Sequence, residues 1–542
     1  MVDVKKLPPL PDIPEHDQTP LVKTLLAFIE QLAEQVQQQA EEITLLKDEI
    51  NILKGEKKRP IFKPSKLDKK TDAKTSSDKS SEKRPGSNKR KKTQELSIHE
   101  DVVIKPDEPV PPGSRFKGYR EFTVQDLDIR PHNTRYRLEH WLTPDNKTLT
   151  GQLPSELSQR HFGPQLVGYI LYQHHHCQTT QPLLLEQLRE WGIDISSGQI
   201  NRLLMAGKEA FHAEKDNLLQ AGLKASSYIT VDDSGARHQG KTGYVTHIGN
   251  DFFSWFESTA SKSRINFLML LRAGHEDYHL SEAALIDMKC KKLAAQPLSK
   301  LRQQFGKSFA DEASWYNFLD SLSIVNPLHQ RIATEGALLG SVLHHGLCED
   351  LVIVSDDAGQ FKILLHALCW IHTERLIHKM LPLNEMHRKE IAQVRGQIWD
   401  LYTELKAYKT TPDSTQRESI SKQFDDIFTQ KTSYATLNSA LKRIHKNKAE
   451  LLVVLERPEI PLHTNGSETD IRDYVKKRKV SGGTRSDEGR RCRDTFASLK
   501  KTCRKLNISF WHYLTDRLGA QHQAIDQLAD IIVARAANAT GY

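Results

Sequence analysis

The chain has 542 residues, of which 38% are hydrophobic and 27% charged, with a formal net charge of +8. This length predicts several domains, because a typical domain has roughly 100–200 residues. No apolar run approaches the ~20 residues that span a bilayer, and the first residues lack the apolar stretch of a secretory signal. The cysteines are scattered without a C-x-x-C pair, which argues against a disulfide framework and favours a reducing cytoplasm.

An N-terminal segment, residues 1–57, contains the seven-residue spacing of a coiled coil over residues 21–57. β-Branched residues and leucines occupy the two apolar positions, a pattern that favours parallel two-stranded pairing. These residues are Leu25, Ile29, Leu32, Val36, Ile43, Leu46, Ile50 and Leu53. We predict that this helix makes the protein a homo-oligomer; an amphipathic helix packed on its own chain is the alternative.

Most of the positive charge lies in the next segment. Between Lys57 and Lys92 there are 15 Lys or Arg and 4 Asp or Glu, a difference of +11, so the rest of the chain carries 8 − 11 = −3. Residues 58–113 have too few large apolar side chains to offset the entropy lost on folding. We predict a basic, disordered linker that contacts DNA phosphates; an inert tether is the alternative.

Residues 114–222 are predicted to be a helical DNA-binding region. Within it, TTQPLLLEQLREWGIDISSGQINRLLMAG has the form of a helix-turn-helix. Thr180 can cap the first helix, Gly192 ends it, and Ser196 or Ser197 caps the second. Three polar residues of the second helix are predicted to point outward and contact DNA: Gln199, Asn201 and Arg202. A short helix pair without DNA contacts is the alternative.

Residues 223–515 are predicted to form a mixed α/β core. SSYITVDD and DLVIVSDD are apolar strands that each end in two aspartates, and GYVTHIGNDFFSWFEST has the pattern of a hairpin with an Asn-Asp turn. Two helical insertions, at about 265–350 and 366–450, interrupt the strands, and a C-terminal helix is predicted over 516–542. The fold class is therefore multidomain α+β.

The aspartates at the two strand ends, Asp232-Asp233 and Asp356-Asp357, suggest a shared site. Side chains alternate across a strand, so one member of each pair can face that site. If the strands are neighbours, the two carboxylates meet and need a cation between them to stay charged. Oxygen ligands of this kind suit Mg²⁺ or Mn²⁺. Turn or helix-cap roles are the alternative.

A basic segment farther along the chain offers a third carboxylate. Thr464, Asn465 or Ser467 can cap a helix that begins near Glu468, and this helix can present Glu468 to a cation. The basic residues predicted to meet DNA phosphates there are Arg472, Lys476, Lys477 and Arg485. A solvated charged face is the alternative.

Several blocks resemble the insertion-sequence-66 family of bacterial transposases. They are VDDS, SDDAGQF, CWIHTER and TNGSETDIR, and the similarity covers most of residues 160–515. The resemblance implies a ribonuclease-H-like catalytic domain with an Asp-Asp-Glu triad. It selects three residues as both catalytic residues and metal ligands: Asp232, Asp356 and Glu468. From CWIHTER, His372 and Arg375 are candidates for positioning a phosphate. The first strand has Asp233 where the family has Glu, so Asp233 stays an alternative to Asp232.

The function implied by the resemblance is that of a bacterial DNA transposase. Two Mg²⁺ or Mn²⁺ ions would support nicking of the element's ends and attack of the freed 3′-ends on target DNA. The implied partners are terminal inverted repeats, target DNA and accessory proteins of the element, with no membrane. An inactive DNA-binding derivative and a metal-dependent nuclease are the alternatives.

Two further expectations concern metals other than those of the triad. DIRPHNTRYRLEHW has no cysteine where family members carry a zinc-binding segment, so we predict no structural zinc. Successive residues of a helix point about 100° apart and do not converge on one ion. We therefore expect the consecutive histidines at 174–176 and 344–345 to belong to a helix surface or core.

Overall fold

The structure, a computed structural model, describes residues 98–153, 161–347, 349–522 and 524–539, together with isolated positions between 19 and 32. Apart from those positions, the predicted coiled coil over 21–57 lies outside the described residues, as does the predicted linker up to residue 97. The chain divides into two units: residues 31–129 form one, and residues 1–30 with 130–542 form the other.

The first unit, as far as it is described, is residues 98–129, which are exposed and contain no helix or strand. In the second unit, the chain after residue 130 first forms a small antiparallel pair, β1 (His140–Leu142) and β2 (Thr148–Thr150). The expectation of a helical region from residue 114 is therefore wrong for 114–153. Pro144 and Asn146, the latter with a φ of 57°, supply turn conformations that interrupt a helix.

Among the residues described from 98 onward, the first helix begins at Pro164. Their bounds are α1 (Pro164–Leu171), a π-helical turn (Tyr172–His176), α2 (Gln181–Glu190), α3 (Ser197–Met205) and α4 (Glu209–Ala225). Ser196 caps α3, since its Oγ accepts from Gln199 N at 3.2 Å and Gln199 Oε1 accepts from Ser196 N at 2.8 Å. Thr180 precedes α2 without capping it through its side chain, whereas Gly192 takes the positive φ of a helix end.

A five-stranded mixed sheet forms the centre of the second unit. Its strands are β3 (Tyr228–His238), β4 (Lys241–Gly249), β5 (Ser254–Thr259), β8 (Val352–Ser355) and β9 (Leu365–Leu368). They are ordered β5-β4-β3-β8-β9; β3 and β4 pair antiparallel, as do β4 and β5, whereas β8 runs parallel to β3 and β9. The predicted β4–β5 hairpin is confirmed, with Asn250 N donating to Phe253 O across its turn.

Both faces of the sheet are covered, as the alternation of its side chains requires. Val245 and Phe256 belong to a small apolar cluster with Ile471, while Ile248 and Trp255 point into the large central core. Trp255 is therefore a core residue. The free side of β5 is bonded by side chains of a long helix, including those of Asp494, Ser498 and Thr502, which accept from β5 amides. This contact blocks pairing with another strand.

The first predicted insertion is confirmed as mostly helical. It contains α5 (Arg264–Leu271), β6 (Tyr278–His279), α6 (Glu282–Cys290), α7 (Ala295–Arg302), β7 (Ser308–Phe309), α8 (Glu312–Ser321) and α9 (Pro327–His344). Its apolar residues join the central core around Trp315, whose indole donates to Thr334 Oγ1 at 2.9 Å.

The second insertion has a core of its own. It contains α10 (Trp370–His378), α11 (Glu385–Thr410), α12 (Ser414–Thr429), α13 (Ala435–Lys446) and α14 (Lys448–Leu451). Trp370 opens α10 directly after β9 and packs into this core, so the insertion is rigidly connected to the strand that precedes it.

Four helices complete the described chain: α15 (Asn465–Ser481), α16 (Asp487–Lys505), α17 (Phe510–Arg517) and α18 (Leu528–Ala539). The continuous C-terminal helix predicted over 516–542 is wrong, because the chain turns between α17 and α18. Arg517 stabilises this turn by donating to Ile525 O and Asp526 O, each at 2.8 Å. No helix in the described ranges is long and apolar enough to cross a membrane.

Candidate active site

The first two carboxylates come from adjacent parallel strands. β3 and β8 pair in parallel, with Thr230 opposite Val354. Asp232 lies two residues farther along β3, and Asp356 directly follows the last residue of β8. The two strands are neighbours, which is the condition for a shared site, although more than a hundred residues separate them in sequence. The prediction that the first strand ends at its aspartates is wrong: β3 continues to His238, because β4 pairs with it as far as that residue.

Asp232 and Asp233 have different surroundings. Both carboxylate oxygens of Asp233 accept hydrogen bonds, Oδ1 from Thr246 Oγ1 at 2.6 Å and Oδ2 from Gln360 Nε2 at 3.1 Å. Asp232 Oδ1 accepts only from the Asp233 amide, at 2.8 Å, among the contacts described. Burial, to which the charge of Asp356 adds, raises the pKa of Asp232 to about 6. These contacts favour Asp232 as the carboxylate that shares a site with Asp356.

Asp356 is oriented by its own turn. It directly follows β8, and its Oδ1 accepts from Ala358 N at 3.1 Å, a side-chain bond typical of an aspartate at a turn. The adjacent Asp357 instead forms an exposed ion pair with Arg443. The two members of this second pair therefore separate, one toward the sheet and one toward the second insertion.

The helix that carries Glu468 is anchored on β3. Ser467 Oγ donates to Thr230 Oγ1 at 2.6 Å, and Ser467 is fully buried. The helix begins at Asn465, three residues before the predicted start, and Thr464 precedes it without a side-chain cap. Ser467 thus binds the sheet rather than capping the helix, and this contact brings the next residue, Glu468, to the edge where β3 and β8 lie.

Glu468 is held by basic side chains of two helices. Its Oε1 lies 3.3 Å from Arg375 Nη1 and 3.5 Å from His372 Nε2, both on α10, and its Oε2 lies 3.9 Å from Arg472 Nη2 on the same helix. The neighbouring Cys369, followed by the charge of Glu468, raises the pKa of His372. Glu468 is therefore ion-paired at one side of the site.

The three carboxylates share one region without forming a closed cage. The charges of Asp356 and His372 both act on Asp232, and His372 contacts Glu468, so α10 links the strand acids to the helix acid. Among the described residues, however, one oxygen from each of the three carboxylates cannot be chosen so that all three lie within 4.8 Å of one another. Gln360 and Thr246, which position Asp233, were not identified from the sequence, because neither has a motif of its own.

The residues predicted to contact DNA on α3 differ in availability. Asn201 and Arg202 are exposed, and Asn201 Oδ1 accepts from Gln181 Nε2 at 3.4 Å. Gln199 does not point freely outward, because its side chain closes the cap with Ser196. The helix pair therefore offers Asn201 and Arg202 to a ligand, whereas Gln199 has a structural role.

The basic residues of α15 and of the turn that follows it also differ in their exposure to solvent. Arg472, Lys476 and Arg485 are exposed. Lys477 is buried and donates to His174 O of the π-helical turn at 2.6 Å, and burial lowers its pKa to about 7. The prediction that Lys477 faces phosphate does not agree with this position; it joins α15 to the N-terminal helices.

Comparison with known proteins gives the family. Residues 345–491, which include Asp356 and Glu468, match the family described as Transposase IS66 family. An uncharacterized protein, y4jO, of Sinorhizobium fredii (strain NBRC 101917 / NGR234) is 45% identical over 321 residues, which is 59% of this chain and 100% of the relative. The chain belongs to the IS66 transposase family. Membership indicates a transposase, an enzyme that acts on nucleic acid, with DNA as its partner.

Proposed function

We propose that the protein is a DNA transposase that binds the ends of its element and catalyses metal-dependent cleavage and strand transfer at Asp232, Asp356 and Glu468. One observation carries this proposal: β3 and β8 are parallel neighbours, so that the charge of Asp356 acts on Asp232, and Ser467 anchors the helix that carries Glu468 on β3. Family membership supplies the reaction class, and this juxtaposition supplies the residues.

The fold supports the ribonuclease-H-like assignment. Three consecutive strands form an antiparallel meander, and two later strands add in parallel to the side of the first. In this order β8 ends beside the part of the central strand β3 that carries Asp232, and the helix that carries Glu468 is anchored on β3 through Ser467. Large helical segments enter between strands without changing the strand order.

The donor set fits a divalent cation. Three carboxylates are oxygen ligands of the kind that Mg²⁺ and Mn²⁺ prefer. The raised pKa of Asp232, caused by burial and by Asp356, means that the pair is costly to ionise without a nearby positive charge. When bound, such ions activate the attacking hydroxyl or water and stabilise the leaving oxygen.

The basic side chains around Glu468 have a role before and during DNA binding. Arg375 and His372 neutralise Glu468 in the free protein. When Glu468 turns toward Asp232 and Asp356, both side chains become available to a DNA phosphate, which Arg binds well through its planar fork of donors. Arg375 and His372 thus neutralise the Glu468 carboxylate in the free protein and a DNA phosphate in the complex.

A DNA surface on this chain includes exposed residues of two elements. Asn201 and Arg202 on α3 are proposed to contact the element ends, and Arg472, Lys476 and Arg485 to contact the phosphates near the triad. The basic linker would add further phosphate contacts. Oligomerisation through residues 21–57 and accessory proteins belong to the same proposal, as does the absence of a cysteine zinc-binding segment at residues 128–141.

The proposal is tested by incubating the purified protein with labelled element ends and Mg²⁺. The matched variants are Asp356→Ala and Asp357→Ala, which remove adjacent carboxylates of which only the first faces the triad. We expect Asp356→Ala to abolish cleavage and strand transfer, and Asp357→Ala to retain both. Equal activity of the two variants would refute the site assignment. Cleavage without joining would identify a nuclease, and binding without cleavage an inactive DNA-binding protein.

A further inference from the structure

We propose that His275, Asp277 and His345 form a zinc-binding site on the first helical insertion. The ligand atoms of the three side chains all lie within 4.8 Å of one another. The set contains one of the two consecutive histidines that the sequence assigned to a helix surface or core. None of the three residues belongs to the proposed triad, and the site does not depend on the transposase proposal.

Backbone contacts bring the three residues together. His275 and Asp277 lie in the loop between α5 and β6, and His345 directly follows α9. Arg272, at the end of α5, accepts from His275 N at 3.2 Å and donates through Nη1 to Asp277 O at 2.8 Å. His345 N donates to Ser341 O at 3.0 Å. Both sides of the site are therefore fixed by hydrogen bonds that do not use the ligand atoms.

The side chains are already oriented toward one another. Asp277 Oδ1 accepts from His345 Nε2 at 2.7 Å and from Ser341 Oγ at 2.9 Å. The His275 and His345 rings stack with centroids 3.5 Å apart and planes 2° apart. Within the part of the chain that the structure describes, the His275 ring has no hydrogen-bond partner. The lone pairs of the ring nitrogens lie in the ring planes, so one of the two stacked rings must rotate out of the stack before both nitrogens and the Asp277 oxygen can bind one ion.

The charges favour a cation. Asp277 supplies a carboxylate to the group, and its Oδ1 is held in place by hydrogen bonds from His345 and Ser341. An imidazole binds a metal ion through the lone pair of the neutral ring. Lys224 and Arg272 act against a cation from nearby, although the Arg272 guanidinium is directed at a backbone carbonyl.

The ligand set selects the class of ion. Two imidazoles and one carboxylate suit Zn²⁺, which binds nitrogen and oxygen ligands in tetrahedral geometry, whereas Mg²⁺ prefers oxygen alone. His275 is exposed, and Asp277 and His345 are half-buried, so solvent can reach the site and a water can complete the coordination. A buried cage would lack such a path for the ion.

Zinc at this position would connect the insertion to the proposed active site. It would join the loop before β6 to the end of α9, and the chain then enters β8 at Val352, the strand that leads to Asp356. A ligand that binds only the folded state stabilises it by an amount that grows with the logarithm of the ligand excess. We therefore expect zinc to raise the thermal unfolding midpoint of the protein.

A second group of possible ligands requires a control. The ligand atoms of His212, Glu488 and Cys492 also lie within 4.8 Å of one another. His212 Nδ1 is already bonded to Thr495 Oγ1 at 2.7 Å, and burial raises the pKa of Cys492 to about 11, so an ion there must displace a thiol proton. A zinc titration of the wild type alone would not distinguish the two groups.

The test is a calorimetric titration of the untagged, chelator-treated full chain with Zn²⁺, in excess Mg²⁺ to occupy the oxygen ligands of the triad. The variants are Asp277→Asn and His345→Ala, with His329→Ala on the same helix as the matched control. We expect the first two variants to lose one equivalent of zinc or to bind it at least ~100-fold more weakly, since even outer contacts of a metal site change affinity by roughly 10–100-fold. The control should bind as the wild type does.

Thermal unfolding without zinc separates lost binding from lost folding. Asp277→Asn keeps the size of the side chain and an acceptor for Ser341, so its midpoint should stay close to that of the wild type, and zinc should no longer raise it. Unchanged stoichiometry and affinity in both site variants would overturn the proposal. Because the measurement is zinc binding rather than DNA cleavage, its result is independent of the transposase assay.

Discussion

Replacing Asp232 with asparagine should stabilise the metal-free protein at high pH. Burial and Asp356 raise the pKa of Asp232 from 3.8 to about 6, and a tenfold change in acidity corresponds to about 1.4 kcal/mol. The folded state therefore binds this proton more tightly than the unfolded state does. The resulting contribution to the free energy of unfolding is complete below pH 4 and is lost as the pH rises through 6. The pKa shift corresponds to a loss of about 3 kcal/mol in the free energy of unfolding when the carboxyl ionises. We expect roughly 1–3 kcal/mol, because solvent reaches part of the side chain.

The assay compares thermal unfolding of the wild type and Asp232→Asn in EDTA at pH 5 and pH 8. We expect the variant to be more stable at pH 8 and the difference to shrink at pH 5, where the wild-type carboxyl is mostly protonated. Asparagine keeps the acceptor for the Asp233 amide, so no structural bond is lost. Adding Mg²⁺ should raise the midpoint of the wild type but not that of the variant.

Asp233→Asn is the matched control. Its carboxylate is engaged by Thr246 and Gln360, so Mg²⁺ should still stabilise this variant. A lower stability of Asp232→Asn at pH 8, or a difference independent of pH, would contradict the argument about burial. If Mg²⁺ raised the unfolding midpoint of Asp232→Asn but not that of Asp233→Asn, Asp233 rather than Asp232 would be the metal ligand.

Two other predictions concern stability. Lys501→Met should lower the free energy of unfolding in urea by roughly 2 kcal/mol. Asp470 is buried beside Lys501, and in the variant it would keep only Lys505 as a close cation. An unchanged urea midpoint would show that the Lys501–Asp470 pair is not stabilising. Ser196→Ala should destabilise α3 by about 1 kcal/mol through loss of its cap, measured by amide hydrogen exchange in that helix. Ser197→Ala is its control, and equal exchange in both variants would contradict the capping role.

Local sequence patterns predicted individual helices and strands better than they predicted the residues at which these elements begin and end. Alternating apolar residues and the Asn-Asp turn identified the β4–β5 hairpin, because strand pairing there is local in sequence. Helix ends were less predictable: Thr180 and Thr464 have capping side chains, yet neither caps. A cap is one of several bonds that a polar side chain can make, and the surrounding packing decides which forms.

Tertiary contacts also decided which charged residues stay exposed. Lys476 and Lys477 are neighbours in a basic run, but successive helix residues point about 100° apart, and only Lys477 turns toward the π-helical turn. Likewise, His275 and His345 are seventy residues apart and meet only because α9 returns beside the loop before β6. No sequence spacing indicates such a pair.

The candidate active site combines both kinds of information. The sequence by itself determined that two apolar strands carry paired aspartates and that Glu468 lies in the first turn of a basic helix, because these are local patterns of burial and charge. Only the tertiary structure decided that the strands are parallel neighbours, that Asp233 is engaged by Thr246 and Gln360, and that Arg375 holds Glu468. Those outcomes depend on pairing and packing between distant segments, which have no counterpart in local composition.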